Sequence, residues 1–278
     1  MGTKLGGTMA NAFSKRITAY GVSDRGRVRK LNEDAFYIDE EIGLLLVSDG
    51  MGGHDAGEVA SSEVISRLRE GLRGPMDRFV DPMAFNADDD GDDDTTREYV
   101  ADPLIAMVSS TLEETNRILN TRNQERGCEA GSGMGATVVG FWLPVISASG
   151  VVFHVGDSRL YLFREGRLRQ VTRDHSMYQQ WVDFGREGDP PSHNVILQAL
   201  GPLEDVVPDI AYQLIQPNDI LLLCSDGLTG VLSEKAITGV LSTVRRDTLQ
   251  TGCEDLIEMA KEQGSRDNIT ALIARVKS

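Results

Sequence analysis

Two stretches of this chain are near copies of each other. Leu44-Leu45-Leu46-Val47-Ser48-Asp49-Gly50 and Leu221-Leu222-Leu223-Cys224-Ser225-Asp226-Gly227 each run from an apolar strand through Ser to Asp-Gly. Val152-Phe153-His154-Val155-Gly156-Asp157 is a third apolar run ending in aspartate, and Asp267 stands just ahead of Ile269–Val276. Glu33 and Asp34 open a further strand-like run. A single Asp-Gly after a strand is ordinarily a turn. Six acids at element ends with few adjacent bases are another matter, because a carboxylate at the end of a buried strand is costly unless it is paired or binds a cation. Mg²⁺ and Mn²⁺ take oxygen ligands and keep several waters, so a few carboxylates suffice to hold them. Two such ions ~3.5–4 Å apart, sharing a carboxylate, activate a bridging water and stabilise in-line displacement at phosphorus.

Competing chemistries fail on their own requirements. Gly131-Ser132-Gly133-Met134-Gly135-Ala136 spells a dinucleotide fingerprint. It follows a polar helical segment and leads into the β-branched Thr137-Val138-Val139, where the fingerprint needs strand before and helix after. No Gly-Lys-Ser/Thr phosphate loop is present, and six residues after the three cysteines stand Met134, Gly230 and Met259 rather than the Arg of a cysteine phosphatase. His154 lies inside an apolar strand and reads as a structural residue, which argues against zinc.

The elements that must position the acids can be read from periodicity. Strand-like runs cover Ile17–Val22, Ala35–Asp39, Leu44–Ser48, Ala136–Leu143, Val145–Ser147, Val151–Val155, Leu160–Phe163, Leu168–Val171, Ile220–Cys224 and Ile269–Val276. Gly57–Leu72 reads as a helix with Val59, Val64, Ile65, Leu68 and Leu72 on one face, and Pro103–Arg122 as a second with Ile105, Val108, Leu112, Ile118 and Leu119. Two more helices are expected over Ser233–Thr243 and Thr248–Gln263. Asp174–Asn194, with Pro190 and Pro191, reads as a surface flap. Strands and helices come in groups rather than in alternation, which excludes a doubly wound parallel sheet and points to α+β, a central β-sandwich of two antiparallel sheets with helices on both sides. First and last strands belong to one core, so 13–278 reads as a single domain behind a disordered Gly-rich leader, 1–12.

Composition limits the partners. The 278 residues hold 28 Lys and Arg against 43 Asp and Glu, a net charge of −15, unsuited to nucleic acid or an anionic membrane. No apolar run reaches the ~18 residues of a membrane span. Three cysteines without paired spacing, and no signal-peptide pattern, indicate the reducing cytoplasm. The run Asp88–Asp94 reads as a solvated acidic loop.

At these residues the sequence resembles the metal-dependent serine/threonine protein phosphatases of the 2C type, in their bacterial branch. The markers are Ser23-Asp24-Arg25-Gly26, Arg29 through Asn32-Glu33-Asp34, Asp49-Gly50-Met51-Gly52-Gly53-His54, Gly135-Ala136-Thr137, Gly156-Asp157-Ser158-Arg159, Asp174-His175-Ser176, Ser225-Asp226-Gly227 and Arg266-Asp267-Asn268, in family order from about residue 16 to 276. The resemblance implies the β-sandwich already expected and hydrolysis of phosphoserine and phosphothreonine at two core Mn²⁺ or Mg²⁺ ions. It implies that Asp49 bridges the ions, with Asp226 and Asp267 on one and the Gly50 carbonyl on the other. Glu33 and Asp34 then hold waters around them, and Asp157 with Asp226 serves a weaker third ion. Arg29 matches the family's phosphate clamp and His54 its general acid. The implied partners are phosphoproteins and a serine/threonine kinase acting in opposition, with the enzyme a monomer. Two features depart from the pattern: the flap is compact, and Gln198 stands where many bacterial members have Arg. The alternative is a non-catalytic phosphoprotein-binding regulatory domain on the same fold, and a third reading is an acidic scaffold recruiting partners through Asp88–Asp94.

Overall fold

The computed structural model describes residues 16–52, 56–73, 102–144, 147 and 149–277. The expected leader, 1–12, the acidic run Asp88–Asp94, and His54 lie outside the described residues.

Strands with no polar face dictate the architecture. Residues 44–47 of β3 (Leu44–Met51) and all of β10 (Ile220–Cys224) are buried, so layers must cover them on two sides. Alternate side chains go opposite ways. Leu45, Val47, Leu221 and Leu223 meet between the sheets, together with Phe141, Val152, Leu160 and Leu272. Leu44 and Leu46 point outward to one helical layer, and Ile220, Leu222 and Cys224 to the other.

One sheet has the order β1 (Ile17–Asp24), β11 (Ile269–Val276), β10, β7 (Arg159–Arg164), β8 (Arg167–Gln170). The other runs β2 (Asp34–Asp39), β3, β5 (Val138–Trp142), β6 (Ser149–Val155), β9 (Asp209–Leu214), with the two-residue β4 (Gly135–Ala136) against the end of β3. Every pairing is antiparallel. The β7–β8 hairpin turns on Glu165-Gly166, both at positive φ, as the short loop requires. Helices α1 (Ala56–Arg73) and α2 (Pro103–Glu125) cover the second sheet. Helices α5 (Glu234–Thr243) and α6 (Leu249–Glu262) cover the first. The short α3 (Met177–Asp183) and α4 (Asp226–Thr229) complete the set. The α+β sandwich is therefore as expected. No helix among the described residues is long and apolar enough to cross a membrane.

Several local expectations need correction. The buried face of α1 is Ala60, Val64, Leu68 and Leu72 with Gly57 and Ser61, while Val59 is 44% exposed. Ile105 and Ile118 of α2 are only partly buried; Asn116, Asn120 and Asn123 share its inner face and donate to the carbonyls of Leu203, Glu204, Gly201 and Met134. The stretch 136–143 breaks at Thr137, whose hydroxyl accepts from the Asp49 N–H at 3.1 Å. Ser147 is not in a strand, and 145 and 146 lie outside the described residues. Strand β9 and helices α3 and α4 were not anticipated.

Candidate metal centre

All the expected acids lie at one end of the sandwich. Glu33 directly precedes β2, Asp34 begins β2 opposite Asp49 in the β2–β3 register, Asp157 follows β6, Asp226 follows β10, and Asp267 precedes β11. Arg29, Glu33, Asp49, Gly50, Asp157, Asp226 and Asp267 line a single pocket of about 270 Å³. Of the other two expected residues, Asp34 lies buried beneath the pocket, and His54 falls outside the described residues.

Side chains around the pocket fix these groups. Asn268 holds the 25–33 loop by donating to the carbonyls of Arg25 (3.0 Å) and Leu31 (2.8 Å) and accepting from the Glu33 N–H (2.9 Å). Gly26, at φ +75°, lets that loop lie against the Asp267 carbonyl, where a Cβ would collide. The Glu33 carbonyl accepts from the Gly50 N–H at 3.1 Å and the Ser61 hydroxyl at 2.5 Å, tying β3 and α1 to the loop. At Gly50 a side chain would strike the Gly57 and Glu33 carbonyls. Thr137 clamps Asp49 from the backbone (N to Asp49 O, 2.8 Å) and shares a hydrogen bond with Ser158 at 2.7 Å. Behind Asp157, Arg159 grips Asp174 bidentately and reaches the Tyr161 hydroxyl.

Electrostatics follow from crowding acids in a buried place. Burial pushes the Asp34 carboxyl up to about 7, against hydrogen bonds from Thr270 (2.7 Å) and Ser225 (2.8 Å) to its Oδ2. Burial, then the neighbouring Asp226, does the same to Asp157. Asp49 is driven well above the carboxylate range by burial and by Asp34, Asp226 and Asp157, and Asp226 is raised by burial and Asp267. Asp34 Oδ1 and Asp226 Oδ1 are buried without a hydrogen-bond partner. Such a site favours protons or cations, and its donors are all oxygen, which suits hard divalent ions. Arg29 donates to Asp267 at 2.7 Å, so the expected phosphate clamp is engaged with one of the expected metal acids.

A second group of ligand-type side chains, His154, His175 and Asp209, has ligand atoms within 4.8 Å of one another. Its hydrogen bonds account for it without a cation. The His154 Nε2–H donates to the Arg173 carbonyl at 2.7 Å, and the Gly156 N–H donates to His175 Nδ1 at 3.3 Å. His175 Nε2 lies 3.4 Å from Asp209 Oδ2. The pair secures the Gly156–Asp157 corner, in keeping with the structural role expected of His154.

Asn194, the last residue of the flap, and Ile196 just after it also line the pocket. Nothing in their local sequence marks them, since the fold alone brings that segment over the acids, through Met177 N–H to Val195 O and Leu197 N–H to His175 O. Gln198, the departure noted above, accepts from the Val207 N–H at 2.9 Å.

The family model described as "Protein phosphatase 2C" matches residues 24–272. The chain is 33% identical over 261 residues to a serine/threonine phosphatase stp of Listeria monocytogenes, covering 90% of this chain and 92% of that one. It superposes on the crystal structure of the Mycobacterium tuberculosis serine/threonine phosphatase PstP/Ppp with a TM-score of 0.76 at 29% identity, covering 94% and 99% of the two chains. The PstP catalytic domain in complex with two manganese ions superposes with a TM-score of 0.74 at 31% identity, over 94% and 99%.

Proposed function

Because the chain belongs to the protein phosphatase 2C family, we propose that it is a phosphoprotein phosphatase hydrolysing phosphoserine and phosphothreonine at a pair of Mn²⁺ or Mg²⁺ ions held over the acidic pocket. The observation that carries this reading is the convergence of Arg29, Glu33, Asp49, Gly50, Asp157, Asp226 and Asp267, distant in the chain, on one small cavity.

Asp49, Asp226, Asp267 and the Gly50 carbonyl would hold the core ions, Glu33 would hold their waters, and Asp157 with Asp226 a third. When bound, such ions activate water and neutralise phosphoryl charge. The protein's own groups do the rest. Arg29, which in this structure donates to Asp267, would present its planar fork to two phosphoryl oxygens. Asp34, with Ser225 and Thr270 on Oδ2, keeps Oδ1 to orient the attacking water. His54 supplies the proton to the departing serine or threonine oxygen. One domain over 13–278 carries this activity. Its partners are serine/threonine kinases and their substrates. It works as a monomer in the cytoplasm, in line with cysteines that are all free.

The test is release of phosphate from a phosphothreonine peptide during a Mn²⁺ titration. Turnover is expected to need the metal, to vanish in EDTA and to be lost in Asp226→Ala. Metal-independent turnover overturns the mechanism, and tight phosphopeptide binding with no hydrolysis favours the non-catalytic alternative.

A further inference from the structure

The metal pocket opens into a larger groove. Four of its lining residues, Arg29, Asn194, Asp226 and Asp267, also line a groove of about 520 Å³ that continues past Val28, Val231 and Arg266. A phosphorylated side chain is one point on a polypeptide, so a chain seated with its phosphate at Arg29 must lay its neighbouring residues somewhere beside the pocket. We propose that this groove receives them and selects acidic side chains there. The inference rests on the phosphatase reading and adds a substrate class to it.

Charge carries the argument. The molecule as a whole bears −15, yet the exposed loop that supplies Val28 and Arg29 holds Arg25, Arg27 and Lys30 as well, with no acid between residues 25 and 31. Arg266 is exposed and has no hydrogen bond or ion pair among the described residues. The two acids in the groove, Asp226 and Asp267, are those that face the metal pocket. Beyond Leu31 lies a separate hollow whose charged residues are Glu58 and Glu63, the latter paired with Arg67 and Arg122, so the free basic side chain lining the groove is Arg266. Val28, 54% exposed, and Val231 offer apolar contact between the charges. A carboxylate on a substrate residue beside the phosphorylated one thus meets Arg266 or the basic loop, whereas a lysine there meets like charge.

The experiment uses the Mn²⁺-loaded full chain and two phosphothreonine peptides identical except for Glu or Lys on either side of the phosphorylated residue, with p-nitrophenyl phosphate as a substrate that has no flanks. The Glu-flanked peptide is expected to show a kcat/KM about tenfold higher or more, as charge-assisted contacts allow. Anisotropy of labelled, non-hydrolysable phosphonate versions is expected to give the same order in affinity without turnover. Arg266→Glu should erase the preference, as should Val28→Glu on the exposed rim. Arg246→Glu makes the same change of net charge as Arg266→Glu, in a cavity at the opposite end of the strands, and should leave the preference intact. Equal values for the two peptides, or a preference that survives both groove variants, overturns the proposal. If none of the three substrates is hydrolysed the phosphatase reading fails, and the phosphonate affinities then decide the groove by themselves.

Discussion

Asn268 shows how much one side chain can settle. Its amide bonds the Arg25 and Leu31 carbonyls and the Glu33 N–H, so Arg29 and Glu33 are both carried by a loop that it closes. Asn268→Ala removes three part-buried hydrogen bonds at once, and a loss of about 1–3 kcal/mol in urea unfolding is expected. A fall in kcat/KM of at least about tenfold should accompany it, since small displacements of positioned groups weaken catalysis steeply. Asp34 and Asp157 give a prediction of opposite character. Their carboxyls, held up to about 7 by burial and nearby acids, keep protons in the folded metal-free protein that the unfolded chain releases near pH 4. The native state therefore binds more protons between these values, and stability falls as pH rises through that window. In EDTA the melting temperature is expected to climb on going from about pH 8 to about pH 6, less steeply in Asp157→Asn, and saturating Mn²⁺ should suppress the slope. A melting temperature in EDTA that instead drops over that range contradicts the account.

Among the elements, β10 is the most demanding. Leu222 is fully buried against the α5 and α6 layer, and Leu222→Ala is expected to cost about 2–5 kcal/mol in denaturant unfolding. Val59→Ala, on an exposed turn of α1, should change stability by no more than about 0.5 kcal/mol. The same contrast explains what could be read from sequence. Ile220–Cys224, a continuous apolar run, and Ile269–Val276, apolar apart from Thr270 and Arg275, were legible to the residue because strands buried on both faces are largely apolar between turn residues. The acids at strand ends were legible because their cost is local. Strand β9 was not, since Asp209–Leu214 is a largely exposed edge without an apolar run. The inner face of α2 was half hidden, because Asn116, Asn120 and Asn123 are buried only by virtue of carbonyls far along the chain. Asn194 and Ile196 belong to the site for the same non-local reason, and Arg159 and Asp174, both among the sequence markers, are paired only by the fold.

At the scale of the molecule, the centre joins the two layers. Glu33, Asp49 and Gly50 come with one sheet, Asp226, Asp267 and Arg29 with the other, and Asp157 from the crossing between them. Ions that bind only this arrangement stabilise the whole fold by mass action, by about 2.7 kcal/mol at a hundred times the dissociation constant. Calorimetry should show one transition that moves upward with Mn²⁺ concentration, and an unmoved transition would tell against a centre shared by both sheets. Asp34 already reaches across the divide to Ser225 and Thr270. A nascent polypeptide in which one half has formed ahead of the other thus possesses no hydrolytic machinery at all. Competence arrives only with completed assembly of both sheets.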